Sequence, residues 1–146
     1  ALGPKMLELA ESETAGAHPY FVPPEHTQMA RNVMGPDALL YPEQMVVIES
    51  DPDAARAIAR QHMKTYAALP NYVNNLVRLG YEAEDGENLT DSVVDAVVVW
   101  GSIDAIAKRV QEHFDAGADH VCVQVLTEEP HQVPEGWRRL APALID

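Results

Sequence analysis

Six histidines, one cysteine and a surplus of carboxylates are the reactive groups of this 146-residue chain. The histidines are scattered, without the His-x-x-x-His spacing that puts two imidazoles on one helix face, so the pattern points away from metal chemistry. No phosphate-binding Gly-x-x-x-x-Gly-Lys loop and no nucleophile elbow is present. Each histidine reads as a surface or satisfied core side chain, with His18 set apart because it lies in an apolar run beside Pro19. The local signal that remains is Ala1-Leu2-Gly3-Pro4-Lys5-Met6. A glycine before a helix N-terminus lets an anion approach the backbone, and Lys5 adds charge; the same residues also read as an ordinary proline-initiated helix start.

Alternating strands and helices must position these groups. Pro4 opens a helix that Gly16 is expected to end, and His18–Val22 reads as a short strand with one ladder donor removed by Pro19. A second helix begins at Pro23-Pro24-Glu25 and stops at Gly35-Pro36. Met45–Ile48 is a continuous apolar run, the pattern of a strand buried on both faces. Ser50 or Asp51 caps the next helix, whose Ala55, Ile58, Ala59, His62, Met63 and Tyr66 recur at helical spacing. The interval from Pro70 to Trp100, with an acidic loop at Glu84-Asp85-Gly86-Glu87, exceeds an ordinary connection and reads as a helical excursion over one end of the fold. Ser102 caps a helix ended by Gly117, a strand follows over His120–Val125, and the tail reads as a loop with a short helix around Trp137. This order predicts an α/β protein with a parallel sheet.

Four runs carry a resemblance to a known family. Ala-Leu-Gly-Pro-Lys-Met-Leu-Glu-Leu-Ala, Gly-Ala-His-Pro-Tyr-Phe-Val-Pro-Pro-Glu-His-Thr, Leu-Pro-Asn-Tyr-Val-Asn-Asn and Asp-Ala-Gly-Ala-Asp-His-Val-Cys-Val-Gln-Val resemble, in the same order, the C-terminal half of luciferase-like monooxygenases, above all those that use the deazaflavin coenzyme F420. The resemblance implies a partial (β/α)₈ TIM barrel, with residues 1–146 as its C-terminal half, parallel strands and a helical insertion. A complete barrel needs on the order of 200 residues or more.

The resemblance further implies a flavin- or deazaflavin-dependent oxidoreductase, working by hydride transfer or monooxygenation. Leu2, Gly3, Pro4 and Lys5 would grip the cofactor phosphate, and Tyr20, Phe21, Val22 and Pro23 would add cofactor contacts. Asn71, Tyr72 and Asn75 would face the substrate. Read from residue type alone, Tyr20 and Phe21 equally suit core aromatics, and Asn71 and Asn75 equally suit caps or turns. FMN stands as the alternative cofactor, since both carry a phosphate. No catalytic acid or base is named by the resemblance, and the chain alone is expected to be inactive. The alternative function is a non-catalytic half-barrel that binds or assembles, and either reading implies self-association or an N-terminal half-barrel as partner.

The net charge of −13 argues against nucleic-acid and anionic-membrane partners, because only Lys108–Arg109 and Arg138–Arg139 stand as adjacent basic pairs. Cys122 lies in an apolar run and, being the only cysteine, forms no internal disulfide. No apolar stretch approaches the roughly 20 residues of a membrane span. The first residues lack the pattern of a signal peptide, so a cytoplasmic setting is expected.

Overall fold

The computed structural model describes residues 1–82 and 89–145, so the acidic loop at 84–87 lies outside the described residues. Helix α1 (Pro4–Glu13) precedes strand β1 (Gly16–Ala17), helix α2 (Pro24–Met34) and strands β2 (Leu39–Leu40) and β3 (Glu43–Val47). Helix α3 (Pro52–Ala67) follows, and helices α4 (Pro70–Arg78) and α5 (Asp91–Val97) lie within the expected excursion. Strand β4 (Val98–Trp100), helix α6 (Ile103–Asp115), strand β5 (Cys122–Val125), a 3-10 turn (Pro130–Gln132) and helix α7 (Val133–Leu144) complete the chain.

All strand pairs are parallel: β1 with β2, and β3 with β4 and β5. β2 and β3 are one extended run broken at Pro42. Its odd-numbered amides, at Leu39, Tyr41 and Glu43, donate to the Ala15, Ala17 and Pro19 carbonyls, while its even-numbered carbonyls at Leu40, Pro42 and Val46 accept from Asp119, Cys122 and Leu126. The run therefore joins the β1 segment to β5, and β4 takes the β1 side further along, at Met45–Val47.

The sheet has two chemically different faces. Ala17, Leu40, Val46, Val99 and Val125 pack with residues of α1, α2, α6 and α7, which makes the outer layer apolar. The opposite, inner face carries Tyr20, Glu43, Met45, Val47, Cys122, Gln124 and Leu126, following the two-residue period of a strand. α3 covers its C-terminal end with Ala55, Ala59, Met63 and Ala67, one residue per turn and all at most 1% exposed. Burial of Met63 alone contributes about 1.5–3 kcal/mol. The arrangement is a partial (β/α) barrel.

Several expected boundaries move. Gly16 does not end α1 but sits inside β1, where a Cβ would stand 1.9 Å from the Leu39 carbonyl oxygen; only glycine lets these strands pair. The strand expected at His18–Val22 lies instead at Gly16–Ala17, and the positive φ of 63° at Phe21 turns the following segment into α2. The last part of the expected excursion, up to Trp100, splits into the helix α5 and the strand β4. The tail is a 12-residue helix rather than a short one, with Gly136 packed so closely on Val125 that a Cβ would stand 2.6 Å from Cγ1.

Candidate functional site

The loop before α1, the loop after β1 and the helix α4 meet at a cavity of about 440 Å³. Leu2 and Gly3 line it from the first, with Met6 of α1 beside them, His18 and Tyr20 from the second, and Asn71, Tyr72, Asn74 and Arg78 from the third. Pro70 starts α4 after an extended Leu69, which brings Asn71 and Tyr72 to the cavity in the first turn and Arg78 in the last.

The expected cofactor loop is held from beneath. His26 is fully buried and its Nε2–H donates to the Leu2 carbonyl at 2.8 Å, so Nδ1 is the bare nitrogen and has no partner. Burial holds its pKa down at about 4, so the imidazole is neutral. In α1, Pro4 has no amide and the amides of Met6 and Leu7 return to the Gly3 carbonyl, which leaves Lys5 as the free first-turn donor. The space above Gly3 belongs to Arg78, whose guanidinium would lie 3.7–3.9 Å from a Cβ there. Arg78 Nη1 donates to Asn75 Oδ1 at 3.1 Å.

Of the residues expected at the site, Leu2, Gly3, Tyr20, Asn71 and Tyr72 come together around this cavity. Pro4 and Lys5 start the helix behind it and are exposed. Phe21, Val22 and Pro23 are buried, and Phe21 packs on Tyr66 and Tyr72 as a core aromatic. Asn75 is 1% exposed, so it orients Arg78 rather than facing the cavity. Sequence reasoning missed Arg78 and Asn74, and it set His18 apart without placing it at this cavity; one signal for Arg78 was its place in the last turn of the helix begun by the quoted Leu-Pro-Asn-Tyr-Val-Asn-Asn run.

A second polar cluster adjoins the first through Tyr20. Its hydroxyl donates to Gln124 Oε1 at 3.0 Å and lies 3.1 Å from His62 Nε2. Burial, first of all, raises the Tyr20 and Tyr72 phenols and lowers His62. His62 and Gln124 line a groove of about 440 Å³ with Ile58, Tyr66, Leu126 and Val133, where β5 ends. Continuing the β1–β2 register places Tyr20 beside Glu43, which pairs with Cys122 on its other side. Glu43 is 6% exposed and neither carboxyl oxygen reaches a donor at hydrogen-bond geometry. Burial pushes its pKa up to about 8, against a weaker opposing pull from the Phe21 amide.

Among the described residues no group of His, Cys, Asp or Glu is arranged to hold a metal ion. No described helix is long and apolar enough to cross a membrane.

No family model matches the chain, and no curated protein matches it either. Solved structures do. An F420-dependent secondary alcohol dehydrogenase in complex with an F420-acetone adduct superposes with a TM-score of 0.69 at 12% identity, covering 100% of this chain and 48% of that one. A coenzyme F420-dependent tetrahydromethanopterin reductase from Methanopyrus kandleri gives 0.73 at 18% identity, over 99% of this chain and 49% of that one. Apo-MsnO8 gives 0.62 at 19% identity, over 98% and 48%. The chain thus spans about half the length of each of these proteins and shares their fold over nearly its whole length.

Proposed function

We propose that the chain is the C-terminal half-barrel of a luciferase-like oxidoreductase that uses the deazaflavin F420. It contributes the grip on the cofactor phosphate and one wall of the pocket. The observation that carries this reading is the cavity itself. Leu2 and Gly3, Tyr20, and Asn71 with Tyr72 are far apart in sequence yet line one space with Arg78. The likeness to two F420-dependent enzymes supports the same reading.

The donor set suits an anion. A guanidinium binds phosphate in a planar two-point contact, the Lys5 amide lies at the positive end of α1, and the net charge of the protein is screened beyond about 8 Å at physiological salt. Arg78 is the principal cation in this reading, with Lys5 auxiliary. When bound, the deazaflavin supplies hydride transfer at its ring. The chain's own residues orient it: His26 fixes the Leu2 carbonyl, Asn75 aims Arg78, and the tyrosine wall of Tyr20 and Tyr72 excludes water from the pocket side.

Titration of F420 into the chain, followed by its fluorescence, tests the reading, with FMN titrated in parallel. Binding is expected to be weak, because this chain provides only part of the pocket. Arg78→Ala should weaken it about tenfold, the loss of one charge-assisted contact of about 1.4 kcal/mol. Gly3→Val should weaken it by displacing the guanidinium, and Lys5→Ala least. Equal affinity in all four proteins places the phosphate elsewhere, and tighter binding of FMN replaces the cofactor in this reading.

A further inference from the structure

We propose that a second cavity, where β3 and β5 end against α7, binds a small zwitterion: an amino acid whose ammonium and carboxylate sit on an apolar body. The site shares no lining residue with the cofactor cavity and does not depend on the F420 reading above.

Its position is one that parallel strands provide. Val47 and Val125 close β3 and β5, and the space of about 510 Å³ beyond them is lined further by α3 and α7. Crevices outside the carboxyl ends of parallel strands are where α/β sheets take ligands, and this volume suits a small molecule. The floor is apolar, from Val47, Ile48, Val125 and Leu126 at the strand ends with Ala54 and Ile58 of α3. Gly136 completes it. A Cβ there would stand 2.6 Å from Val125 Cγ1, so α7 meets the strand through its backbone.

The polar lining divides into groups already engaged and groups left open. The Thr127 hydroxyl donates to the Glu129 carbonyl at 2.9 Å, and Gln132 Oε1 accepts from the Glu129 amide at 3.3 Å. Glu49 Oε1 accepts from the Asp51 amide at 2.8 Å, and Glu135 faces Arg138 at 3.3 Å. Among the described residues Glu128, His131 and Arg139 make no side-chain hydrogen bond or ion pair, and all three are exposed where they line the cavity.

An open guanidinium and an open carboxylate on one apolar space call for both charges in one ligand. A monoanion would meet the carboxylates of Glu49, Glu128 and Glu135, and a monocation would leave Arg139 unpaired beside it. A zwitterion gives the guanidinium a carboxylate in a two-point contact and gives Glu128 an ammonium. Barrels often hold a phosphate in the loops after their final strands. Here those loops carry Glu49 and Glu128, whose charges repel one.

The test titrates the ¹⁵N-labelled chain, at about 0.15 M salt to screen its net charge, and follows the Leu126 and Gly136 amides by NMR. The zwitterions are L-leucine and 6-aminohexanoate, which hold their two charges close together and far apart. Hexanoate, hexylamine and inorganic phosphate carry one sign of charge only. One or both zwitterions should bind about tenfold more tightly than hexanoate or hexylamine, the gain of one charge-assisted contact. Arg139→Gln should lower zwitterion binding to the level of hexylamine, and Glu128→Gln to the level of hexanoate. Glu135→Gln should cost less than either, because that carboxylate already faces Arg138. Hexylamine binding as tightly as both zwitterions leaves only an acidic rim and overturns the proposal. So does saturable binding of phosphate, or the absence of a saturable shift with both zwitterions. Zwitterion binding unmoved by Arg139→Gln and Glu128→Gln places the ligand outside this cavity and overturns it equally.

Discussion

Three buried ionisable residues oppose one another in their effect on stability. His26 and His113 are fully buried, and burial holds both near pKa 4 against an ordinary 6.5. The unfolded chain protonates first, so their contribution is complete above pH 6.5 and is lost as pH falls towards 4. Glu43 works the other way. Its pKa is raised from 4.5 to about 8, so the folded state keeps a proton that the unfolded chain releases. Its contribution is complete below pH 4.5 and is lost as pH rises through 8. Denaturant midpoints should therefore fall on both sides of neutrality, and Glu43→Gln should flatten the limb between pH 6.5 and 8 and steepen the acid limb between pH 4.5 and 6.5, where the two effects oppose each other. An unchanged alkaline limb would mean that Glu43 is ionised in the folded protein. His113 also carries a packing role. Its Nε2–H donates to Gln44 Oε1 at 2.9 Å and its Nδ1 accepts from the Thr27 hydroxyl at 2.8 Å, tying α6 to β3 and α2. His113→Leu leaves two buried groups unpaired and should cost about 1–3 kcal/mol for each, measured by chemical denaturation. The sequence disclosed none of this, since His113, His26 and His62 look alike until the fold shows which nitrogen of each has a partner.

At the level of elements, the apolar pattern was readable where it marks one buried helix face or a strand buried on both faces, and it failed where the backbone departs from regular geometry. The α3 and α6 stripes, their Asp51 and Ser102 caps and the apolar β3 run all stand in the structure. β1 was misplaced because its limits depend on two backbone facts: the close approach at Gly16 and the positive φ at Phe21. Neither is visible in hydrophobic pattern. The approach at Gly16 makes a sharp prediction. A methyl group there meets a backbone oxygen rather than a flexible side chain, so β1 and β2 must separate. Gly16→Ala should destabilise by about 3 kcal/mol or more, at the upper end for overpacking, and Gly136→Ala by less because Val125 can shift. Equal losses in thermal unfolding would show that β1 yields as easily as a valine side chain. The cavity was legible in part for the same reason: Leu2, Gly3 and Asn71 sit in recognisable runs, whereas Arg78 reaches it only through the length of α4 and the buried Asn75.

At the scale of the molecule, the chain has the outer layer of a barrel over an inner face that is only partly covered. α3 closes the C-terminal end of that face, but His18, Tyr41 and His120 remain exposed near the other end, with Tyr41 37% and the two histidines similarly open. Among the described residues β5 pairs only with β3, so its far edge offers unpaired amides and carbonyls. On the outside, α1 leaves Met6 54% and Leu9 50% exposed, where a polar helix face would be expected on a free surface. The chain spans about half the length of each structural neighbour, and in the proposed reading an N-terminal half-barrel, or a second copy, would cover these groups. We therefore expect the isolated chain to self-associate at micromolar concentration, and Met6→Lys with Leu9→Lys to weaken that association by at least tenfold, because each places a charge in an apolar contact. Adding the N-terminal half-barrel of an F420-dependent relative should compete with it, since both use the β5 edge and the α1 face. Sedimentation velocity decides the matter: a wild-type chain that runs as a compact monomer across this range removes the interface, while association untouched by the double substitution moves it from α1 to the strand edge.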